Sequence, residues 1–242
     1  MRAYFFSDVH LGLGTPSQER AKEDLLLRFF RDILPRTDRL FILGDLFDFW
    51  FEYGTVIPKG FHRTLAALQE FTDRGTPVEY LAGNHDFWMG DFFEKELGVT
   101  VRRDPYETVL DGKRLFLHHG DVLAQRDLGY RLIKPVLRNR AAILLYRWLH
   151  PDLGVRLARG SSRTSRAYTS QKDFGEQEGM IAFARERIAA GAQVVVMGHR
   201  HLPVTQKIGD GLYVNLGDWI THQTYGLLED GEMTLQTWSD RS

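Results

Sequence analysis

Cysteine is absent from the 242-residue chain. That excludes a disulfide scaffold and every thiolate metal site, zinc fingers among them. Long apolar runs are absent too, since none approaches the roughly 18 residues that a membrane-spanning helix needs. No internal repeat, low-complexity tract or flexible linker interrupts the chain. The net charge is only −1, with 31 basic against 32 acidic side chains, so nothing global points to nucleic acid. The first residues run straight into an apolar strand pattern, which leaves no room for a signal peptide. The expectation is a cytosolic protein, soluble or at most seated on a membrane surface. Its length suffices to bury a full core as one α/β domain.

What the chain does have is a set of short apolar strands that end in metal-binding side chains. The run Leu40–Leu43 reads as a buried strand and stops at Gly44-Asp45. Open α/β sheets build their sites at the carboxyl ends of strands. The same device recurs after Arg2–Phe6, in Ser7-Asp8-Val9-His10, and after Val78–Leu81, in Ala82-Gly83-Asn84-His85-Asp86. It recurs again after Arg114–Leu117, in His118-His119-Gly120-Asp121, and after Gln193–Met197, in Gly198-His199-Arg200-His201. Taken singly, each is an ordinary turn Asp or a satisfied His; five in one chain are not. Oxygen and imidazole donors suit hard and borderline divalent metals. Asp8, His10, Asp45, Asn84, His119, His199 and His201 are seven candidate ligands, too many for one tetrahedral ion. Two ions that share Asp45 as a bridge account for them better. Ions roughly 3.5–4 Å apart can clamp the attacking and leaving oxygens of a displacement at phosphorus.

Around these strands the pattern predicts helices over Glu19–Leu34, ended by Pro35, over His62–Arg74, closed by Gly75, and over Phe87–Leu97. Asp111-Gly112, Gly209-Asp210-Gly211 and Asp230-Gly231 predict hairpins. Helical crossovers first and hairpins last suggest two packed sheets with helices outside. Phe49, Trp50, Phe51 and Tyr53 fit a pocket wall and the core equally well. The segment from Arg126 to Lys172 breaks this rhythm. It holds eleven cations against two acids, a net +9, which leaves −10 for the remainder. Leu132, Ile133, Val136, Leu137, Ile143, Leu144, Leu145, Tyr146, Trp148, Leu149 and Leu153 lie in the same segment. A basic insert with an apolar face is one form of a membrane-surface element, and also suits an amphiphilic phosphate ester.

The order Asp-x-His, Gly-Asp-x-x-Asp, Gly-Asn-His-Asp, His-Gly-Asp, Gly-His-x-His, spanning Asp8 to His201, resembles the calcineurin-like metallophosphoesterase superfamily. The resemblance implies an αββα sandwich over residues 1–242, with a helical cap inserted at 122–180. It implies one ion on Asp8, His10, Asp45 and His201 and a second on Asp45, Asn84, His119 and His199. His118 is then not a ligand, because the family places its ligand directly before the Gly-Asp. His85 takes the position of the superfamily's catalytic histidine, with Asp48 as its carboxylate partner.

Two stretches narrow the resemblance further. Asp127-Leu128-Gly129-Tyr130, and Arg159-Gly160-Ser161-Ser162-Arg163-Thr164-Ser165-Arg166, are similar to the UDP-2,3-diacylglucosamine pyrophosphatase family of lipid A biosynthesis. By that resemblance Asp127, Tyr130, Arg159, Ser162, Arg163 and Arg166 bind substrate, and Asn84 and His199 hold both an ion and a phosphate oxygen. The implied enzyme uses two divalent ions, manganese by expectation. It would hydrolyse UDP-2,3-diacylglucosamine to UMP and 2,3-diacylglucosamine 1-phosphate, in the cytoplasm at the inner-membrane surface. The enterobacterial-type members carry Arg where this chain has His85, and Glu where it has Asp48. That departure leaves open a phosphodiesterase of another nucleotide or lipid. A non-catalytic membrane-surface binding protein is the alternative from another class, and the intact ligand set argues against it.

Overall fold

A computed structural model of the chain describes residues 1–121, 123, 139–157, 160 and 176–239. Eleven strands form two sheets among these residues. The first sheet has the order β11-β10-β1-β2-β3-β4, with β1 Arg2–Phe6, β2 Arg39–Ile42, β3 Val78–Leu81, β4 Thr100–Arg102, β10 Thr224–Glu229 and β11 Glu232–Thr237. The second has the order β5-β6-β7-β9-β8, with β5 Tyr106–Leu110, β6 Lys113–His118, β7 Val194–Met197, β8 Pro203–Ile208 and β9 Gly211–Leu216. In each sheet the central strands are parallel, β1 to β4 in one and β6, β7 and β9 in the other. Their carboxyl ends therefore share an edge within each sheet.

Strand alternation decides which layer each residue joins. Ala3 and Phe5 of β1 and Phe41 of β2 pack between the sheets with Leu115, Leu117, Val194, Val196 and Val214. Their neighbours Tyr4, Phe6, Leu40 and Ile42 face the other way, into a core closed by helices α1 (Pro16–Ile33) and α2 (His62–Asp73). On the far side Phe116, Val195 and Met197 meet Met180 and Ala184 of α5 (Glu176–Ala189). The result is the expected helix–sheet–sheet–helix sandwich.

Local chemistry moves some boundaries. α1 starts three residues before the expected Glu19, because Thr15 and Gln18 form a capping box and Pro16 occupies the first turn. Of the helix expected over Phe87–Leu97, the only helical residues are those of α3 (Phe92–Lys95). Trp88 instead bridges to Phe51, and its carbonyl accepts the Glu52 N–H at 3.2 Å. Glu52, buried, in turn accepts the Phe92 N–H at 3.1 Å and the Trp50 indole N–H at 3.1 Å. That carboxylate ties the chain after β2 to the chain after β3, and the tie prevents a longer helix. β4 was not expected, and it extends the first sheet beside β3.

Within the segment expected to form a cap, α4 (Arg140–Arg147) and the helical residues 151–157 are described. Asn139 caps α4 by accepting the Ala141 N–H at 2.8 Å. Tyr146 docks α4 on the body. Its ring lies 4.7 Å from that of Phe51 and 5.2 Å from that of Trp88, and its hydroxyl donates to the Gly154 carbonyl at 2.6 Å. Trp50 and Phe51 are core, whereas Phe49 lines a cavity.

Candidate active site and metal centre

The carboxyl-terminal strand edges of the two sheets meet, and all seven candidate ligands lie at that seam. β1, β2 and β3 deliver Asp8, His10, Asp45 and Asn84; β6 and β7 deliver His119, His199 and His201. Asp8, His10, Asp45, His199 and His201 all have left-handed backbones, with φ of 56°, 49°, 54°, 70° and 59°. Side chains with a Cβ rarely adopt that conformation, and such strain gathers at functional sites. Here it turns the chain sharply off each strand so that successive side chains point into the seam. The turns also need glycine where the backbones close in. A Cβ at Gly83 would collide with the Asp45 carboxylate, and one at Gly198 with that of Asp8.

Hydrogen bonds then fix the carboxylates. Asp45 Oδ1 accepts the His85 N–H at 2.9 Å, and Asp8 Oδ2 accepts the His199 N–H at 2.8 Å. The other oxygens face histidine rings. Asp45 Oδ2 lies 3.6 Å from His10 Nε2 and 3.4 Å from His119 Nε2, between two imidazoles. Asp8 Oδ1 lies 3.4 Å from His201 Nε2 and 3.8 Å from His10 Nε2. The Nε2 atoms of His10 and His201 face one another at 3.1 Å, and His119 Nε2 faces the Asn84 amide oxygen at 3.0 Å.

Among the described residues three groups of donors could hold an ion: Asp8-His10-His201, Asp45-His119-His199, and His10-Asp48-His85, which shares His10 with the first. The chemistry fits divalent cations. Buried Asp8 Oδ1 has no hydrogen-bond donor, and imidazole nitrogens converge on each other and on carboxylate oxygens instead of pairing off. All donors are oxygen or nitrogen, as intermediate metals prefer.

Without a cation the cluster must carry protons. Burial pushes Asp45 up, but His119, His85 and His10 outweigh it and hold its carboxyl well below the ordinary value. Burial likewise disfavours a proton on His119, yet Asp45, with Asp8 and Asp121 behind it, pushes that ring up to about 10. His199 goes the other way, lowered to about 4 by burial and then by the charge on His119. A dication entering such a site displaces protons.

His85 and Asp48 stand beside this cluster. The His85 and His10 rings are 4.8 Å apart and nearly perpendicular. His85 Nδ1 lies 3.0 Å from the Asp48 main-chain oxygen and 3.8 Å from its carboxylate. The Asp48 carboxylate is nearer to His10 Nδ1, at 3.5 Å. Asp48 thus contacts both rings. The His118 ring lies 5.8 Å from that of Phe183. Asp127, Tyr130, Arg159, Ser162, Arg163 and Arg166 lie outside the described residues.

Sequence reasoning missed a second tier. Asp86 is fully buried, accepting the Gly83 N–H at 2.8 Å and the Tyr80 hydroxyl. Burial and then the Asp45 charge raise it to about 6. Asn215 donates to the Gly198 carbonyl at 2.9 Å and so supports the turn that carries His199. Asp218 follows Gly217 at the end of β9, a further copy of the strand–Gly–Asp device that was readable in the sequence. A cavity of about 560 Å³ opens beside Asp48, walled by Leu11, Phe49, Ile57, Phe61, Pro151 and Val155. A second, of about 330 Å³, lies between Phe87, Trp88, Met89 and α4.

Comparison with known proteins gives concordant results. Residues 1–203 match the family model described as calcineurin-like phosphoesterase. A UDP-2,3-diacylglucosamine hydrolase of Porphyromonas gingivalis is 35% identical over 261 aligned positions, covering 99% of this chain and 98% of that one. The protein of the same name from Pseudomonas fluorescens is 36% identical, covering 88% of this chain and 86% of its own. Among solved structures, the phosphoesterase Yfce from E. coli superposes with a TM-score of 0.50 at 20% identity, covering 100% of this chain and 96% of that one.

Proposed function

The chain belongs to the calcineurin-like phosphoesterase family, and we propose that it is a two-metal hydrolase that splits UDP-2,3-diacylglucosamine into UMP and 2,3-diacylglucosamine 1-phosphate. One observation carries the chemistry: a single Asp45 oxygen lies between two imidazoles that belong to different donor groups. The near full-length likeness to hydrolases named for that substrate supports its identity.

In this reading Asp8, His10, Asp45 and His201 hold one ion, and Asp45, Asn84, His119 and His199 the other. Manganese is the metal expected from the family resemblance; the mixed oxygen and imidazole donors admit it without selecting it over other borderline divalent metals. When bound, two divalent cations neutralise phosphoryl charge and make water acidic enough to attack at neutral pH. His85 holds a proton toward the phosphoryl oxygens while its Nδ1 is fixed at the Asp48 carbonyl. The Asp48 carboxylate lies 3.8 Å from the same nitrogen. The departing sugar phosphate is a weak base, so it needs little protonation. Asp127, Tyr130, Arg159, Ser162, Arg163 and Arg166 bind the glucosamine and phosphate groups from a cap spanning 122–180.

That cap also supports a membrane-surface location. Trp148 is 88% and Leu145 72% exposed, with Leu144 beside them on one face of α4, while Tyr146 on the opposite face holds the body. Arg147 on the same helix and Arg156 in the next helical stretch are exposed. An exposed apolar face in a basic segment suits an anionic bilayer, the source of a two-chain lipid substrate.

The testing experiment compares hydrolysis of UDP-2,3-diacylglucosamine with that of bis(p-nitrophenyl) phosphate by the purified protein with Mn²⁺. A kcat/KM for the lipid at least a hundredfold higher, with UMP released, is expected. Equal rates would end the substrate assignment.

A further inference from the structure

Asp218 is buried, at 4% exposure, in the turn that leaves β9. Its Oδ1 accepts three main-chain N–H groups, from Ile220 at 3.1 Å, Thr221 at 2.7 Å and His222 at 3.0 Å, and lies 3.3 Å from His222 Nδ1. Three donors on one oxygen pin the carboxylate, so Oδ2 has a fixed direction. It faces His201 Nδ1 at 3.8 Å, an electrostatic contact longer than a hydrogen bond. The next residue, Trp219, donates its N–H to the Asp8 carbonyl at 3.1 Å. One short turn is thus tied to two candidate ligands.

An imidazole offers a lone pair at Nε2 only when its proton sits on Nδ1, and the group facing Nδ1 decides this. His119 Nδ1 has the Leu43 carbonyl at 2.7 Å, and His10 Nδ1 has the Asp48 carboxylate at 3.5 Å. His201 has Asp218. The His201 side chain is also 34% exposed, against 2% for His10 and His119, so packing alone does not hold its ring. Its backbone is left-handed as well.

We propose that Asp218 is a positioning residue that keeps the His201 proton on Nδ1 and aims Nε2 at the ion expected between Asp8 and His10. The proposal rests on the two-ion reading above. If Asp218 were only a turn-former, Oδ1 alone would do that work, and asparagine forms the same turn. Asp218→Asn therefore separates the two roles. It keeps the acceptor for the three N–H groups but replaces Oδ2 with an amide donor, which favours the His201 tautomer that cannot ligate through Nε2.

The experiment titrates Mn²⁺ into metal-free wild type and Asp218→Asn by calorimetry, with thermal melts of both and the visible spectrum of the Co²⁺-loaded forms. Expected are an unchanged melting temperature without metal, one ion bound 10–100-fold more weakly, the other unaffected, and an altered Co²⁺ spectrum. Two ions at wild-type affinity in the variant would overturn the role of Asp218 alone. Loss of both ions together with a fall in the metal-free melting temperature would make it general structural support. A wild type that takes up fewer than two ions would refute the two-ion reading, and this proposal with it.

Discussion

Replacing Asp45 with asparagine tests the electrostatics of the seam directly. In the metal-free protein at neutral pH, Asp45 is a buried anion and His119, with its Nε2 3.4 Å away, a buried cation. The His119 proton is held up to about 10 in the fold. A group whose pKa is raised on folding stabilises fully below its unfolded value, ~6.5, and loses that contribution as pH rises through its folded value. Asp45, depressed against its burial by the same ring, supplies the other limb, present above an unfolded value of ~3.9 and lost in acid. At ~1.4 kcal/mol per pKa unit, the His119 limb amounts to several kcal/mol. Asp45→Asn keeps the volume and can still accept the His85 N–H. It leaves His119 with the burial penalty and the weaker pull of Asp8 and Asp121, so the ring should hold its proton far less tightly. In EDTA the wild-type melting temperature should fall steadily from pH 6.5 to 10, while that of Asp45→Asn should be nearly flat. Equal slopes would refute the assignment of the proton to this pair. With Mn²⁺ restored the variant should show no turnover, and near-normal activity with two ions bound would end the bridging role.

Chelation of the wild type should abolish hydrolysis, and Mn²⁺ should restore it; full activity in excess EDTA would remove the metal from the reaction. His85→Ala should slow the pyrophosphate substrate about 10²-fold and an alkyl phosphodiester up to about 10⁴-fold, because the poorer leaving group needs the proton more. His85→Arg should keep substantial pyrophosphatase activity, since a fixed cation still stabilises the developing charge, and inactivity would mean that His85 transfers a proton or binds an ion. The double change Leu145→Glu, Trp148→Glu should abolish cosedimentation with vesicles containing anionic lipid while leaving hydrolysis of a soluble diester intact; unchanged cosedimentation would remove α4 from the membrane contact.

The sandwich and the seven-residue cluster were legible because buried strands and strand-end polar residues leave strong, short-range marks. Leu40–Leu43 followed by Gly44-Asp45 states both strand and site in six residues. The short helix α3 was overestimated because Phe87–Leu97 has helical composition, whereas Glu52, distant in sequence, fixes residues 88–91 as a loop. The division of Asp48 between two rings could not be read either, because it depends on a carbonyl and a carboxylate of the same residue facing different histidines. Asp218 repeated a pattern already recognised, and was passed over because β9 lies between two hairpin turns and reads as an ordinary late strand.

The seam between the sheets gives the cluster a mechanical role. Asp8, His10, Asp45 and Asn84 come from one sheet, and His119, His199 and His201 from the other. Each proposed ion therefore binds both halves of the sandwich at once, as a cross-link does. A cysteine-free chain has no covalent means of joining its two sheets, and here the reacting centre supplies the rivet. Ion binding should then bear on how the sheets unfold as well as on catalysis: loaded protein should melt as one body, and depleted protein should open first along the edge where substrate would enter.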